Sequence, residues 1–303
     1  MNFFLVFLFS FLTLFGITSF FILEETQDSV INAGILEMGT VLKEKEIGIK
    51  NLNDRASEDL IFAMKNPKFV EYFELPETKA GNNYDENNIL QYTPKQNEIK
   101  SELEQWIFNF QNKFQVDETC IIDATGQEHA RLVLKNIAPV DDLSSEESSS
   151  PFFEPSFEKN LDEVHIQYPY VSPDTNRWVF AYTSPVVLGD GEKPAFYHFE
   201  MPITIFQNLL TPEIGRMYVV DSQGLVISDS GDYDDEHSEY ILTTNNNSVS
   251  HETSHLENND FSTIESISDS KELEMLLILW YYKNQELHHI LLMEIHIIWY
   301  LHI

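Results

Sequence analysis

The first 23 residues of the chain carry no charged side chain and are rich in Phe, Leu and Ile. At ~1.5 Å per residue in a helix, the run from Phe3 to Leu23 covers ~30 Å, the thickness of the hydrocarbon core of a bilayer. A cleavable secretory signal has a shorter apolar core, a basic start and a small-residue cleavage site, and this run meets Glu24 without them. The sequence therefore predicts a transmembrane anchor over residues 1–23, with an unusually long signal peptide as the alternative.

The composition is strongly acidic. Fifty Asp and Glu residues against eighteen Lys and Arg residues give a formal net charge of −32 at pH 7. This charge repels a phosphate backbone, which argues against nucleic acid as a partner. The chain has four arginines, Arg55, Arg131, Arg177 and Arg216. An arginine in a pocket would therefore be a rare positive charge in acidic surroundings.

Cys120 is the single cysteine of the chain, which excludes an internal disulfide bond and a metal site of paired cysteines. It also lies too far from the apolar run to be a lipoprotein anchor. The acidic segment after the run favours an extracytoplasmic body, and a glycosylation sequon at Asn246 is consistent with that side. We expect a cell-membrane protein with a single N-terminal span in this chain and its body outside the cytoplasm.

Residues 24–64 read as one long helix, because apolar residues recur at helical spacing from Val30 to Ile61. The first proline after them, Pro67, is predicted to end the helix. A helix that continues from a membrane span is a stalk, and its apolar face must be covered. A homodimer through the stalk helix is one way to cover it.

Residues 65–214 read as a loop, a helix and then short strands. Phe69 to Asn97 is loop-like in composition, and an apolar stripe predicts a helix from Glu98 to Phe114. The acidic, serine-rich stretch Asp141 to Ser150 is predicted to be a solvated loop, and Ile203 to Leu210 one or two helical turns. Strands are predicted over Thr119–Asp123, Glu128–Ile137, Val164–Tyr170, Arg177–Val187 and Ala195–Pro202, the last two joined by a hairpin turn at Gly189-Asp190-Gly191.

An internal repeat joins this region to residues 215–274. An apolar strand, Asp, two residues and Gly occur at Asp123 and Gly126, and again at Asp221 and Gly224. The two aspartates are about one small domain apart, which indicates two tandem strand–turn–strand modules. The stretches that carry a family resemblance are Asn66 to Phe73, Ile122-Asp123 with Gly126, Tyr170 with Ser172-Pro173, Phe180 to Val186, and Tyr218 to Asp221 with Gly224.

In this order, after an anchor and a stalk, these stretches resemble the double Cache (dCache) family of extracytoplasmic, PAS-like sensor domains of histidine kinases and chemoreceptors. The resemblance covers residues 24–270. It implies an α+β fold in which each of two modules has a five-stranded antiparallel sheet, with ligands usually in the membrane-distal module, here residues 65–214. It also implies that the chain is the sensory region of a membrane receptor, with a histidine kinase as the favoured output.

The amino-acid-binding branch of that family carries a tyrosine, an arginine, a tryptophan two residues later, and a further aspartate. Here Tyr170 precedes Arg177 by seven residues and Trp178 follows the arginine directly. The pattern departs from the branch, so its amino-acid specificity is not carried over.

A small-molecule pocket is predicted in the first module, between the sheet and the loops Tyr84–Tyr92 and Tyr168–Asp174. Trp178, Phe180 and Tyr182 would form an apolar floor, covered by the loop Phe69–Asn97. Each of Arg131 and Arg177 would either face an anionic ligand or form an ion pair with a nearby acid such as Asp174. The candidate ligand-binding residues are Arg177, Trp178, Tyr182, Arg131, Tyr170, Asp174 and Tyr197.

Neither a metal, nor a cofactor, nor catalysis is expected. His129, His165 and His198 lack the spacing of a local chelate. Cys120 with His129 as nucleophile and base would define the alternative, a membrane-anchored surface enzyme, but a thiol in an apolar strand is usually inert. A second alternative is a solute-binding surface protein without signalling output.

Residues 275–303 differ from the rest in composition. They contain no Gly, Pro, Ser, Thr, Asp, Ala, Val or Phe, yet hold four of the ten histidines. Read two bases later with AT-rich codons, His288 to Ile303 can give a strand, an Asn-Gly-Asp turn and a second strand. We predict a frameshift, so that the second module, residues 215–274, is incomplete and the output domain is missing from this chain.

Overall fold

A computed structural model describes residues 2–114, 116–210, 216–221, 226–229, 233–234, 239–240 and 295–300. The helices are α1 (Asn2–Met64), α2 (Lys68–Glu74), α3 (Pro76–Lys79), α4 (Pro94–Lys113), α5 (Phe153–Glu158) and α6 (Thr204–Leu210). The strands are β1 (Glu118–Asp123), β2 (Glu128–Val133), β3 (Asn136–Ile137), β4 (His165–Val171), β5 (Trp178–Val186), β6 (Ala195–Pro202), β7 (Arg216–Asp221), β8 (Val226–Asp229), β9 (Tyr233–Asp234), β10 (Glu239–Tyr240) and β11 (Ile295–Tyr300).

The chain divides into two compact units, Met1–Ile47 and Gly48–Ile303. The first unit is helical, and its apolar side chains from Phe7 to Leu23 are exposed. Among the described residues, this helix is the one that is long and apolar enough to cross a membrane. α1 ends at Met64, three residues before Pro67, as the sequence predicts.

The second unit contains a six-stranded antiparallel sheet in the order β3-β2-β1-β6-β5-β4. It is the antiparallel sheet expected of the first module. The sixth strand arises because Leu134 and Lys135 adopt left-handed backbone conformations, with φ of 47° and 69°. They turn the chain so that β3 pairs with the end of β2. The single strand predicted over Glu128–Ile137 is therefore wrong at its end.

One face of this sheet, which we call the helix face, packs against helices. Phe69 on α2 lies with its ring centroid 5.3 Å from that of Tyr197. The hydroxyl of Tyr182 donates a hydrogen bond to Asn53 of α1. Phe110 on α4 packs against the same face, and the three contacts bury the aromatic side chains of β5 and β6.

The loop predicted over Phe69–Asn97 is wrong in part, since α2 and α3 lie in it. These helices have seven and four residues, too few for a helical pattern to be read from sequence. α4 also begins earlier than predicted, at Pro94 rather than Glu98. Thr93 forms a capping box with Gln96, and a proline in the first turn costs no hydrogen bond.

The opposite face, which we call the cavity face, is covered by residues 147–158, here named the cover. The stretch Asp141–Ser150 is solvated as predicted, with no buried residue, but it is more ordered than a plain loop because it includes two short 3₁₀ turns, Val140–Asp142 and Glu147–Ser149. The Glu147 amide donates to the Gly126 carbonyl at 2.8 Å. A Cβ at Gly126, where φ is +89°, would lie 2.7 Å from the Ser148 nitrogen, so this approach needs glycine.

A second sheet has the order β11-β7-β8, with antiparallel pairing throughout. β7 contains Asp221 of the sequence repeat, while Gly224 lies outside the described residues. β11 belongs to the segment predicted to be frameshifted, and the rest of that segment also lies outside the described residues. The frameshift stays a prediction about the gene.

Candidate ligand-binding cavity

A largely enclosed cavity of about 40 Å³ lies between the cavity face of the first sheet and the cover. A wider depression of about 620 Å³, lined by α2 and its flanking residues, is open to solvent. We take the enclosed cavity as the candidate site because polar side chains converge on it. Its lining residues are Glu118, Cys120, Ile122, Glu128, Glu147, Ser150, Pro151, Phe152, Tyr170, Pro173, Asp174, His198 and Glu200.

Strand register brings the polar lining together. β1 and β6 pair so that Glu118 lies opposite Glu200 and Cys120 lies opposite His198. Since side chains alternate along a strand, these four point to the same face. All four are at most 4% exposed. The cavity thus has a buried floor of carboxyl, thiol and imidazole groups.

These groups contact one another directly. The Cys120 Sγ lies 3.0 Å from His198 Nδ1, and the Tyr170 hydroxyl donates to a Glu200 oxygen. His198 Nε2 is 3.3 Å from the same hydroxyl. From the cover, Phe152 stacks on the imidazole with centroids 4.5 Å apart. The floor is therefore a connected polar network under an aromatic lid.

Burial keeps these groups close to neutral. It raises the pKa of Glu200 to about 7, and it raises that of Glu118 well above the ordinary value. Burial likewise lowers the pKa of His198 to about 3. Burial outweighs the attraction of Arg131 and raises the pKa of Glu128 to about 8. A positive charge brought into this cavity would favour the ionised carboxylates, and a negative charge would oppose them.

Arg131 lies beside the cavity, but its charge is already matched. Its guanidinium nitrogens lie 3.2 Å from Asp174, 3.3 Å from Glu128 and 3.3 Å from Asp142. Arg177 is exposed and pairs with Asp117 at 3.0 Å. Both arginines therefore form the ion pairs that the sequence offered as the alternative, and the geometry gives no support to an anionic ligand.

The structure separates the predicted site residues into three groups. Tyr170 and Asp174 line the cavity, with Arg131 in contact with Asp174. Tyr182 and Tyr197 lie on the helix face. The remaining two predicted residues, Arg177 and Trp178, lie at the start of β5 outside the lining.

The predicted floor of Trp178, Phe180 and Tyr182 is wrong, because Phe180 packs on Phe206 and Tyr182 bonds to α1, both away from the cavity. The aromatic face of β5 is the one that the helices cover. The predicted cover is wrong as well, since residues 147–158 replace the loop Phe69–Asn97.

Sequence reasoning missed Glu118 as a site residue, and it considered Cys120, His198 and Glu200 but set them aside. The sequence feature that could have identified these residues is their i, i+2 spacing on each of two strands. This spacing puts Glu118 with Cys120, and His198 with Glu200, on one face. Both faces of these strands are buried, so alternation of polarity could not identify the face that carries the site.

The proposed pair of Cys120 and His129 is not formed. His129 lies on the helix-face side, with Nδ1 2.8 Å from the Tyr72 hydroxyl and Nε2 2.9 Å from Asp123. Although burial alone would raise it, the pKa of Asp123 falls to about 2 because His129 and Thr125 hydrogen-bond to the carboxylate. Burial raises the pKa of the Cys120 thiol. A buried, protonated thiol does not fit an activated nucleophile.

Two solved structures illustrate what the chain is similar to. The sensor domain of the V. cholerae histidine kinase DctB aligns with a TM-score of 0.50 at 14% identity, over 66% of this chain and 67% of that chain. The isoleucine-bound sensory domain of the Campylobacter jejuni chemoreceptor Tlp3 (CcmL) aligns with a TM-score of 0.48 at 11% identity, over 63% of this chain and 68% of that chain. No protein-family model and no curated protein matches the chain.

At such identities the likeness concerns the fold. The chain has an α+β fold of the kind found in the sensor domain of that histidine kinase. The α+β class and the antiparallel sheet after a long helix, which the resemblance implies, are thereby confirmed.

Proposed function

We propose that this chain is the extracytoplasmic small-molecule-sensing region of a membrane signal-transduction receptor, with a histidine kinase as its output. The observation that carries the proposal is the buried polar cavity on the cavity face, which Tyr170, Asp174 and the β1 and β6 side chains line. Buried polar groups that converge on a cavity are typical of a site that orients a small ligand. The sensor-domain fold and the apolar N-terminal run support the proposal.

The ligand is small, and neutral or cationic. A cavity of about 40 Å³ holds only about three or four water molecules, at ~10–15 Å³ for each. A larger ligand therefore requires the cover to move away from the sheet. The lining includes five carboxyl groups, and the Arg131 charge is matched by Asp174 and Asp142. An added anion would meet carboxyl groups rather than a free cation.

The effect of ligand binding would pass from the cavity face to the helix face through strand β6. Glu200 faces the cavity, while its neighbour Phe199 lies on the helix face and stacks on Tyr182 with centroids 5.0 Å apart. The Tyr182 hydroxyl in turn donates a hydrogen bond to Asn53 of α1. A ligand that shifts β6 therefore changes the packing of α1, which is a population shift between two arrangements.

We propose that the cavity binds its ligand and does not catalyse a reaction. Cys120 and His198 contact each other, but both are fully buried and the thiol stays protonated. The environment suits a recognition site better than a nucleophile.

A thermal-shift screen of the full chain in detergent tests the proposal. Metabolites, amines and metal salts would be compared for their effect on Tm, since a ligand that binds only the folded state raises it. We expect the screen to find a stabilising ligand. Its affinity for Tyr170→Phe should be lower than for the wild type by at least roughly tenfold, because the variant lacks a hydroxyl bonded to a buried carboxyl. Tyr197→Phe, the same change on the helix face, should bind normally. A ligand that binds the wild type, Tyr170→Phe and Asp174→Asn equally would refute this site.

A further inference from the structure

Three potential metal ligands meet on the cavity face. One donor atom each from Glu118, Cys120 and His198 lies within 4.8 Å of the other two. The Cys120 Sγ and the His198 Nδ1 are in contact, at 3.0 Å. The three side chains are 4%, 1% and 1% exposed. They combine a carboxylate oxygen, a sulfur and an imidazole nitrogen, a mixed donor set.

The spacing suits a tetrahedral ion. With metal–ligand distances of ~2.0–2.3 Å, donor atoms around Zn²⁺ lie about 3.3–3.8 Å apart. The separations in this cluster are at most 4.8 Å, so they exceed the upper end of that range by no more than about 1 Å, a change that side-chain rotation can supply. The donors project from two hydrogen-bonded strands, so their backbone positions are fixed by the sheet.

A further oxygen donor lies beside the cluster. Glu200 lines the same cavity and is 2% exposed. Its Oε1 accepts the hydrogen bond from Tyr170, while its Oε2 has no hydrogen-bond partner among the described residues. A buried carboxylate oxygen without a partner is costly unless a ligand satisfies it.

We propose that Glu118, Cys120 and His198, with Glu200 as the neighbouring oxygen donor, bind a divalent transition-metal ion of the Zn²⁺ and Co²⁺ type. The proposal rests on the proposed function, because it names the ligand class of the same cavity. Thiolate and imidazole donors select such ions over Mg²⁺ and Ca²⁺, which prefer oxygen ligands throughout. Metal binding replaces the thiol proton, which is released to solvent.

The size of the cavity agrees with an ion. About 40 Å³ accommodates one metal ion and a water molecule without movement of the cover. A typical organic-ligand pocket is roughly 300–1,000 Å³. The positive charge of the ion also suits the carboxyl-rich lining.

Co²⁺ alone is the probe for the test, added to the purified full chain under reducing conditions. A thiolate bound to Co²⁺ gives a charge-transfer band in the near ultraviolet. Because Cys120 is the single cysteine, the band identifies its sulfur as a ligand. We expect the band in the wild type, no band in Cys120→Ser, and an affinity lower by at least roughly 100-fold in His198→Gln, the upper end of what loss of an outer-shell partner costs.

His165→Gln is the matched control, because His165 lies on the same sheet but bonds to Gln167 outside the cavity. It should bind Co²⁺ as the wild type does. Glu118→Gln is the second test variant, to be used if Cys120→Ser does not fold. The glutamine side chain keeps the shape of the protonated acid. It should weaken the affinity for Co²⁺ while the melting curve without metal persists.

Absence of the band in folded wild-type protein, or equal Co²⁺ affinity in wild type, His198→Gln and Glu118→Gln, would overturn the metal site. The proposed function has a separate outcome. If Co²⁺ does not bind but an organic molecule stabilises the wild type and not Tyr170→Phe, the sensor proposal stands and the metal inference fails.

Discussion

At the scale of single residues, Glu128 is held in a position that opposes its own ionisation. One carboxylate oxygen accepts a hydrogen bond from the Ser144 amide at 2.7 Å and lies 3.3 Å from Arg131. Burial nonetheless raises its pKa to about 8. The Arg131 guanidinium also pairs with Asp174 and Asp142. Its positive charge therefore stabilises the ionised form of Glu128 only in part.

This arrangement has a defined effect on stability. A carboxyl whose pKa is raised in the folded state stabilises the protein below its unfolded pKa and loses that contribution as pH rises to the folded value. For Glu128 the window runs from pH 4.5 to about 8. We expect Glu128→Gln to match the wild type near pH 4 and to be more stable by about 2–3 kcal/mol at pH 7.

Urea unfolding of both proteins across that window measures the difference, with Glu154→Gln, an exposed glutamate of α5, as the control that should follow the wild type. A Glu128→Gln variant less stable than wild type at pH 7 would show that Glu128 acts there as an ionised partner of Arg131.

At the scale of secondary-structure elements, α4 depends on a local signal that precedes its apolar stripe. The Gln96 amide donates to the Thr93 hydroxyl at 3.3 Å, and the Thr93 amide donates to the Gln96 side chain at 2.8 Å. The helix packs on the helix face through Phe110 and the buried residues of its stripe. The cap therefore stabilises an element that supports the sheet.

Thr93→Ala removes one bond of this capping box, and we expect the free energy of unfolding to fall by about 1 kcal/mol. Thr93→Ser retains the hydroxyl and should stay within a few tenths of a kcal/mol of the wild type. Chemical denaturation followed by circular dichroism measures both. Equal loss in the two variants would mean that the threonine methyl group, and not the hydroxyl, matters here.

The same elements explain what could be predicted from the sequence. β1, β5 and β6 lie within a residue or two of their predicted bounds because their apolar and aromatic runs are continuous. The end of α1 was predictable from Pro67. α2 and α3 were not, because helices of this length depend on tertiary packing.

The site was harder to predict than the fold, since Cys120 and His198 meet only through strand register across 78 positions. The choice between the two buried faces was open as well. It depends on where the helices and the cover pack, which is a long-range property.

At the scale of the whole molecule, an apolar N-terminal helix precedes a strongly acidic body. The exposed Phe and Leu side chains before Glu24 form an apolar surface that water does not favour. A net charge of −32 keeps the body in the aqueous phase. The two properties together favour a protein anchored at one end.

We expect the full chain to stay in the membrane fraction after an alkaline wash, and a variant lacking residues 2–23 to be soluble. N-terminal mass analysis of the mature protein gives the control. A mature chain that begins near Glu24 would show that the apolar run is a cleaved signal peptide and not an anchor.

The two faces of β1 and β6 also bear on how such a protein can diversify. Glu118, Cys120, His198 and Glu200 touch the cavity, whereas Tyr197 and Phe199, the residues next to His198 in the chain, pack against α2 and α4. Substitutions at every second position can therefore alter what is recognised and leave the docking of α1 unchanged. A lineage, or a protein engineer, can exchange the lining of the cavity on this scaffold without redesigning its helix contacts, because selection acts on the two sets of positions separately.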